Sequence, residues 1–474
     1  MIGKIVTAAY LTMMAGLFFA ICRRPLTMVS QEVQVRRIGF MLCAAYMMGI
    51  CFLFIKVYVF GNLACFALLL LFCPFVWAVL TFCRTANYAG PLNILLLALL
   101  LSSIGIVVQY RLNLPAPGLL ARIIGAKAVP SAANHFLFSI TSLTFVCLLL
   151  FSGKLSRAID WVEENTSAIF WGILSSGLLL LPFLLGSPVG GTRSWILSGS
   201  VQTSELVLKV TFVAFIAAFL SSKAHVVALK ACPQGELIKI ILSLVLITGV
   251  FFVLPMAFLQ RELGTTLLLA ITLVVMITLT TGRLWFLPLG IGLIASAIAL
   301  ACLIHPRTAE RIVAGWLEWR EYAFRPYSAP SRWPGYQAFL ARAAFSGAGI
   351  WGRGISEGYP RVVPEVSSDF VAVAIIEEMG VLGLLLVIAP FVVFLKEILV
   401  TSTRPDFRGC LRAGIAVVLA TQALYNLGGV LNIIPLTGVP LPFISTGGTA
   451  IYSSYLMVAI MSCLSNRTVK EEAI

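Results

Sequence analysis

Apolar stretches of about 20 residues recur along the whole chain and are separated by short polar segments. Each stretch is long enough to cross a hydrocarbon core of about 30 Å as a helix. Helices satisfy their own backbone hydrogen bonds in lipid, whereas an open sheet edge leaves polar groups unpaired. The pattern therefore predicts an all-α polytopic membrane protein. Its thirteen predicted spans lie near residues 5–21, 38–60, 61–82, 92–109, 134–153, 167–187, 205–221, 236–257, 264–282, 285–304, 370–398, 411–433 and 446–465.

Composition supports a membrane protein and indicates its orientation. Of 474 residues, 60% are hydrophobic and 11% are charged, against about 25% charged in a typical soluble domain. The net charge of +14 comes largely from Lys and Arg in alternate short loops, which the positive-inside rule assigns to the cytoplasm. We therefore expect the C-terminus inside and the N-terminus outside. Because the cytoplasmic loops account for the positive charge, we expect no nucleic-acid partner. The three histidines are far apart, so no histidine-based metal site is predicted.

Three long polar segments fall on the opposite, outer side of this topology. They are residues 186–204, the long loop 305–368 and the Pro/Gly-rich stretch 435–448. The long loop interleaves Trp and Tyr with Arg. This pattern is typical of an aromatic belt at the headgroup level, and equally of a platform that binds an anionic lipid headgroup through bidentate Arg contacts.

Ionisable residues at the ends of apolar spans need an explanation because they are costly in a membrane. Glu205 and Lys209 are spaced i, i+4, which predicts a structural ion pair on one helix face. Asp369 stands where the long outer loop enters a helix. It can cap that helix, or it can act as a base at the water boundary.

Several segments resemble the SEDS family (shape, elongation, division and sporulation; the RodA, FtsW and SpoVE type). The strongest match is Leu436–Gly448, which reads LTGVPLPFISTGG. Further matches follow in the family's order. They are GTRSWI (191–196) with QTSE (202–205), LQRELGT (259–265), and GYQ (335–337) leading to GRG (352–354), SDF (368–370) and EEMG (377–380). Thr446, Ser368 and Glu262 differ from the residues usual in the family. The resemblance covers about residues 92–465 and holds ten of the thirteen spans, which is the family's number.

The resemblance implies a peptidoglycan glycosyltransferase that polymerises lipid II and releases undecaprenyl diphosphate, in cell elongation, division or sporulation. It implies that Asp369 is catalytic and that the partner is a class B penicillin-binding protein, a transpeptidase. It also places the chain in the bacterial cytoplasmic membrane, among membrane lipids, with an extracytoplasmic active site. Candidate substrate-binding residues, chosen by charge and position, are Arg193, Arg332, Gln337, Arg353 and Ser445.

The predicted organisation has three parts. Residues 1–91 form an extra N-terminal module of about three spans, to which we assign no chemistry. We expect a protein that lacks this module to keep its intrinsic activity. Residues 92–465 form the ten-helix core, whose long extracytoplasmic loop, 305–368, lies between core helices seven and eight. Residues 466–474 form a cytoplasmic tail.

Cofactor and function alternatives remain open at this point. No cofactor is required by the sequence and no dedicated metal site is visible, although a divalent cation could bridge Asp369 or Glu365 to a pyrophosphate. A flippase or transporter of lipid-linked precursors would also use many spans and intramembrane charges. A non-catalytic scaffold for a transpeptidase is the third possibility.

Overall fold

A computed structural model describes residues 2–23, 26, 28–56, 63–85, 92–113, 132–186, 193–197, 199–205, 209–223, 234–260, 262–304, 336–401, 406–434 and 438–471. These residues are almost entirely helical. The helices are α1 (Ile2–Cys22), α2 (Met28–Lys56), α3 (Leu63–Leu70), α4 (Phe72–Thr85), α5 (Asn93–Asn113), α6 (Ala132–Phe151), α7 (Lys154–Asn165), α8 (Ala168–Leu185), α9 (Lys209–Ser222), α10 (Gln234–Thr248), α11 (Leu263–Thr281), α12 (Phe286–Ile304), α13 (Tyr336–Ser346), α14 (Val371–Thr401), α15 (Phe407–Val430) and α16 (Gly448–Glu471).

Short irregular elements join some of these helices. Two π-helical segments, Gly249–Val253 and Pro255–Gln260, follow α10, and a 3₁₀ turn covers Pro360–Val362. Strands β1 (Trp195–Ile196) and β2 (Val201–Gln202) form a small antiparallel hairpin, in which Trp195 pairs with Gln202.

The predicted spans are confirmed. Within the described residues, eleven helices are long and apolar enough to cross a membrane, and two shorter apolar helices, Lys209–Ser222 and Phe286–Ala299, add to them. Each coincides with one predicted span, so the chain is an all-α, multi-pass membrane protein. Much of the predicted outer loop, residues 305–335, lies outside the described residues.

The chain divides into two compact units. The first comprises Met1–Ser152, Arg307–Phe391 and Ala423–Ile474. Its central helix is α5, in which every side chain from Ile94 to Leu112 is buried. Helices α1, α2, α6 and α16 pack around α5. A helix that is apolar on all sides is typical of such a core position.

The second unit comprises Gly153–Pro306 and Val392–Gln422. In it α8 packs on α9, α9 on α11 and α11 on α12, while β1 contacts α8. Many large apolar side chains of α8 are exposed, including Ile169, Ile173 and Leu184. Such a surface is expected where a helix faces lipid, because hydrocarbon is as apolar as the side chains.

Helix α14 is interrupted at Gly380, about two and a half turns after its start. Gly380 has φ +68° and ψ −163°, a conformation that glycine adopts without the steric cost of a Cβ. A Cβ at this position would collide with the Ile350 carbonyl and the Gly352 amide. The break therefore lets the loop before α14 approach the helix backbone closely.

Candidate active site

Asp369 lies two residues before α14, at the end of a series of tight turns. The turns are closed by bonds from the Ser368 and Phe370 amides to the Glu365 carbonyl, at 3.0 and 3.2 Å. Ser368 Oγ donates to Asp369 Oδ1 over 3.0 Å. One oxygen of the carboxylate thus has a hydrogen-bond donor in the residue that precedes it.

The family-like segment at the C-terminal end of the chain holds the backbone on which Asp369 lies. Ser445 Oγ donates to the Ser368 carbonyl over 2.5 Å. The amide and the hydroxyl of Thr446 both donate to the Ser367 carbonyl at 2.8 Å. Gln109 of α5 donates to the same carbonyl over 2.9 Å. The Ser367–Asp369 backbone is therefore fixed from two other parts of the first unit.

A second set of contacts surrounds Asp369 itself. Asn426 Nδ2 donates to the Asp369 carbonyl over 2.8 Å and to the Val439 carbonyl over 2.7 Å. Gly438 has φ +70°, and a Cβ there would stand 3.5 Å from Asp369 Oδ2. The positive φ favours glycine at this turn, and the turn lies within van der Waals distance of the carboxylate.

The environment of Asp369 favours a carboxyl group that titrates near neutrality. Burial, together with the smaller effect of the nearby Glu365 carboxylate, outweighs the bond from Ser368 and raises the pKa of Asp369 from 3.8 to about 6. A general base works best when its pKa lies just below the operating pH. Asp369 meets that requirement.

A buried ionic cluster lies on α14 beyond Asp369. Arg111 Nε of α5 lies 2.8 Å from Glu378 Oε1, and both side chains are almost fully buried. Arg353 Nε lies 3.9 Å from Glu377 Oε1, and about a third of the Arg353 side chain, 36%, is exposed. A cation partner is expected for each carboxylate, because an unpaired charge is costly at such depth.

The second unit contains its own buried polar groups. Lys209 Nζ lies 2.6 Å from Glu205 Oε2 and donates to Gln422 Oε1 over 2.8 Å. Glu262 Oε1 accepts bonds from Gln202, Ser204 and Thr265 at 2.6–2.9 Å.

The Glu262 carboxyl group is shielded from water. Burial raises the pKa of Glu262, and the hydrogen bonds from neighbouring hydroxyl groups lower it. Three donors thus accommodate one oxygen of the acidic side chain substituted in the family-like LQRELGT run.

The predicted substrate-binding residues have different surroundings. Arg193 belongs to the second unit, where its side chain is exposed and its amide donates to the Gln260 carbonyl over 3.0 Å. Gln337 lies half-buried on α13. Ser445 is 1% exposed and positions the backbone beside Asp369. Arg332 lies outside the described residues. Contact of these side chains with substrate stays a prediction.

Carboxylates suited to a cation lie close to one another at Glu365 and Asp369. Ser368 Oγ is 3.1 Å from Glu365 Oε2 and 3.0 Å from Asp369 Oδ1. Within the described part of the chain, no group of three or more His, Cys, Asp or Glu side chains could hold a metal ion. Two carboxylates with water and phosphate ligands suit Mg²⁺, which usually keeps several waters.

Sequence reasoning missed several residues that build the site. Arg111, Gln109 and Asn426 lie within apolar helices, and a polar side chain in such a helix is itself a signal. Their partners are distant in the sequence: Gln109 contacts Ser367, and Arg111 contacts Glu378. The helix pattern alone does not specify such long-range contacts.

Comparison with known proteins identifies the family. A model described as "cell cycle protein", of the FtsW/RodA/SpoVE type, matches residues 91–470. Peptidoglycan glycosyltransferase RodA from Mycobacterium bovis is 29% identical over 401 residues, covering 81% of this chain and 79% of the relative. A probable peptidoglycan glycosyltransferase FtsW from Coxiella burnetii is 27% identical over 333 residues, 66% of this chain and 84% of the relative.

A solved structure gives the same fold independently. It is described as "Structural coordination of polymerization and crosslinking by a peptidoglycan synthase complex", and it matches with a TM-score of 0.54 at 21% identity. The alignment covers 80% of this chain and 98% of that chain. Together with the family match over residues 91–470, the shared fold leads to one conclusion: the chain belongs to the FtsW/RodA/SpoVE family of cell cycle proteins.

Proposed function

We propose that this protein is a peptidoglycan glycosyltransferase that joins lipid II units into glycan strands. The relatives named above are peptidoglycan glycosyltransferases of the RodA and FtsW types. The observation that carries the proposal is Asp369: a half-buried carboxyl group with a pKa raised to about 6, on a backbone held by the family-like segment around Ser445.

In the proposed reaction, a sugar hydroxyl of one lipid II molecule attacks the anomeric carbon of another. Asp369 accepts the proton of that hydroxyl as the new glycosidic bond forms. The bond from the anomeric carbon to the pyrophosphate breaks, and undecaprenyl diphosphate leaves with the bonding electrons. Proton removal and stabilisation of the leaving group are the two contributions that such a transfer requires.

Positive groups are needed for the departing pyrophosphate. Arg353 fits this role because its guanidinium is partly exposed, and it lies only loosely paired with Glu377. Arg193 and Arg332 are further candidates from the sequence, and Gln337 is a candidate for polar contacts. A divalent cation held by Asp369 and Glu365 would contribute further positive charge to the same leaving group.

We place this activity on the extracytoplasmic face of the bacterial cytoplasmic membrane, because the basic loops follow the positive-inside rule. A class B penicillin-binding protein is the proposed partner. The solved synthase complex concerns both polymerisation and crosslinking by its description, which is consistent with a transpeptidase beside a SEDS-type protein.

The test is incubation of the purified protein with lipid II, with and without a class B penicillin-binding protein, followed by gel separation of the glycan products. Asp369→Asn should form no glycan. Asp160→Asn is the matched control, since Asp160 of α7 pairs with Arg408 of α15 at 2.9 Å and has no proposed role. No glycan from the wild type under any pairing would favour transport or scaffolding instead.

A further inference from the structure

The first turns of α1 contact the glycine-rich segment Gly352–Gly358, which precedes Asp369. The Ile355 amide donates to Thr7 Oγ1 over 2.7 Å. Thr7 Oγ1 donates in turn to the Gly3 carbonyl over 2.7 Å. Thr7 is 1% exposed, so its hydroxyl is the partner that keeps the buried Ile355 amide satisfied.

The same contact brings the Gly354 backbone close to the backbone of α1, and it places the Glu357 side chain against Gly3. A Cβ at Gly3 would stand 2.8 Å from Glu357 Cγ, and a Cβ at Gly354 would stand 2.9 Å from the Gly3 carbonyl carbon. Gly354 also has φ +110°, which disfavours other residues. Close approach of the α1 backbone therefore requires glycine at position 354, whereas a side chain at position 3 would displace the Glu357 side chain.

The opposite side of the Gly352–Gly358 segment lies against α14. The Gly354 amide donates to the Glu378 carbonyl over 3.0 Å, and the Ser356 amide donates to Glu378 Oε2 over 3.1 Å. The neighbouring Tyr359 amide donates to Glu377 Oε1 over 2.9 Å. The segment is thus enclosed between α1 and the first turns of the helix that starts just after Asp369.

Ordinary packing of one membrane helix on another does not account for this contact. Among the described residues, Thr12, further along α1, bonds only within its helix, to the Ala8 carbonyl at 2.8 Å, and it is exposed. A Cβ at Gly16 would meet nothing within 4 Å. Thr7 and Gly3 therefore contact the Gly352–Gly358 segment, whereas Thr12 and Gly16, the same residue types further along α1, make no such contact among the described residues.

We infer that α1, which precedes the family match at residue 91, is a positioning element of the active site. Thr7 and Gly3 fix the Gly352–Gly358 segment on α14, and that segment keeps the start of α14, and with it Asp369, in its working position. The inference rests on the proposed function. It replaces the expectation that residues 1–91 can be lost without effect on intrinsic activity.

The experiment compares full-length variants in two matched pairs, Thr7→Val with Thr12→Val and Gly3→Ala with Gly16→Ala, and adds Thr7→Ser. Two readouts are measured: hydrogen exchange of the amides in residues 353–359, and the kcat and KM for glycan formation from lipid II. Thermal unfolding in detergent identifies any variant that is globally destabilised.

Thr7→Val should speed exchange at the Ile355 amide about 5- to 100-fold, because a buried donor loses its acceptor. Its kcat should fall about fivefold or more with little change in KM, and Gly3→Ala should behave in the same way. Thr7→Ser keeps the hydroxyl group, so its Ile355 amide exchange and its kcat should stay close to those of the wild type. The Thr12 and Gly16 variants should also resemble the wild type.

Two results would overturn the inference, and they differ from failure of the proposed function. Unchanged exchange in Thr7→Val would show that the contact does not hold the segment. Faster exchange with an unchanged kcat would show that the segment does not position Asp369. Wild-type protein that forms no glycan would instead refute the proposed function, and the kinetic part of this inference with it.

Discussion

Replacing Asp369 with Asn should abolish activity while stabilising the fold at alkaline pH. Burial raises the pKa of Asp369 from 3.8 to about 6, a shift of roughly 2 units at about 1.4 kcal/mol per unit. Keeping this group charged therefore costs the folded state up to about 3 kcal/mol. Since the side chain is partly exposed, we discount this to about 1–2 kcal/mol. Asn carries no charge and avoids that cost.

The sign of the pH dependence follows from linkage. The folded protein binds the Asp369 proton more tightly than the unfolded chain, so wild-type stability falls as the pH rises from about 4 to 6 and stays lower above 6. The Asn variant lacks this loss. The stability difference between the two proteins should be largest at pH 8 and small below about pH 3.5, where both the folded and the unfolded wild type carry the proton.

Thermal unfolding of both proteins in the same detergent measures this difference. At pH 8 the Asn variant should unfold about 1–4 °C higher, and below about pH 3.5 the two midpoints should nearly coincide. An Asn variant that unfolds at a lower temperature at pH 8 would show that the carboxylate is stabilised by its surroundings. In that case the cap role would be favoured and the proposed base would lose its physical basis.

Four further results are expected. Wild-type glycan formation should rise about tenfold between pH 5 and 7, because the fraction of Asp369 in the basic form rises by that factor; a flat profile would contradict this. Ser445→Ala should lower stability by about 1–3 kcal/mol by leaving the Leu441 amide without its acceptor, as chemical or thermal unfolding would show. Arg111→Gln should cost about 3–5 kcal/mol because Glu378 is left buried without its cation, and a variant as stable as the wild type would refute the pairing. Chelation should lower glycan formation and Mg²⁺ should restore it, at a higher concentration in Glu365→Gln if that carboxylate binds the cation.

The membrane fold could be predicted from the sequence because its physical cause is local. A stretch such as Asn93–Asn113 must be helical wherever it crosses lipid, since no other conformation satisfies its backbone. Its burial on all sides was not predictable in detail, because a lipid-facing helix such as α8 and the central α5 are similarly apolar. The difference between them is set by neighbours that are distant in the chain.

The candidate site could be predicted only in part, for the same reason. Asp369 was identifiable as an ionisable residue where a polar loop meets a span. The contacts that prepare it depend on tertiary structure: Ser445 reaches Ser368 from 77 positions away in the sequence, and Thr7 reaches Ile355 from 348. No periodicity in the sequence links such distant positions.

The central claim is that Asp369 is the base of a lipid II polymerase, and side-by-side measurement of glycan formation by purified wild type and Asp369→Asn tests it most directly. The measurement uses labelled lipid II at pH 7.5, equal amounts of folded protein and resolution of the products by chain length. Long glycan from the wild type and none from the variant is the expected result. Glycan of equal amount and length from both proteins would contradict the claim.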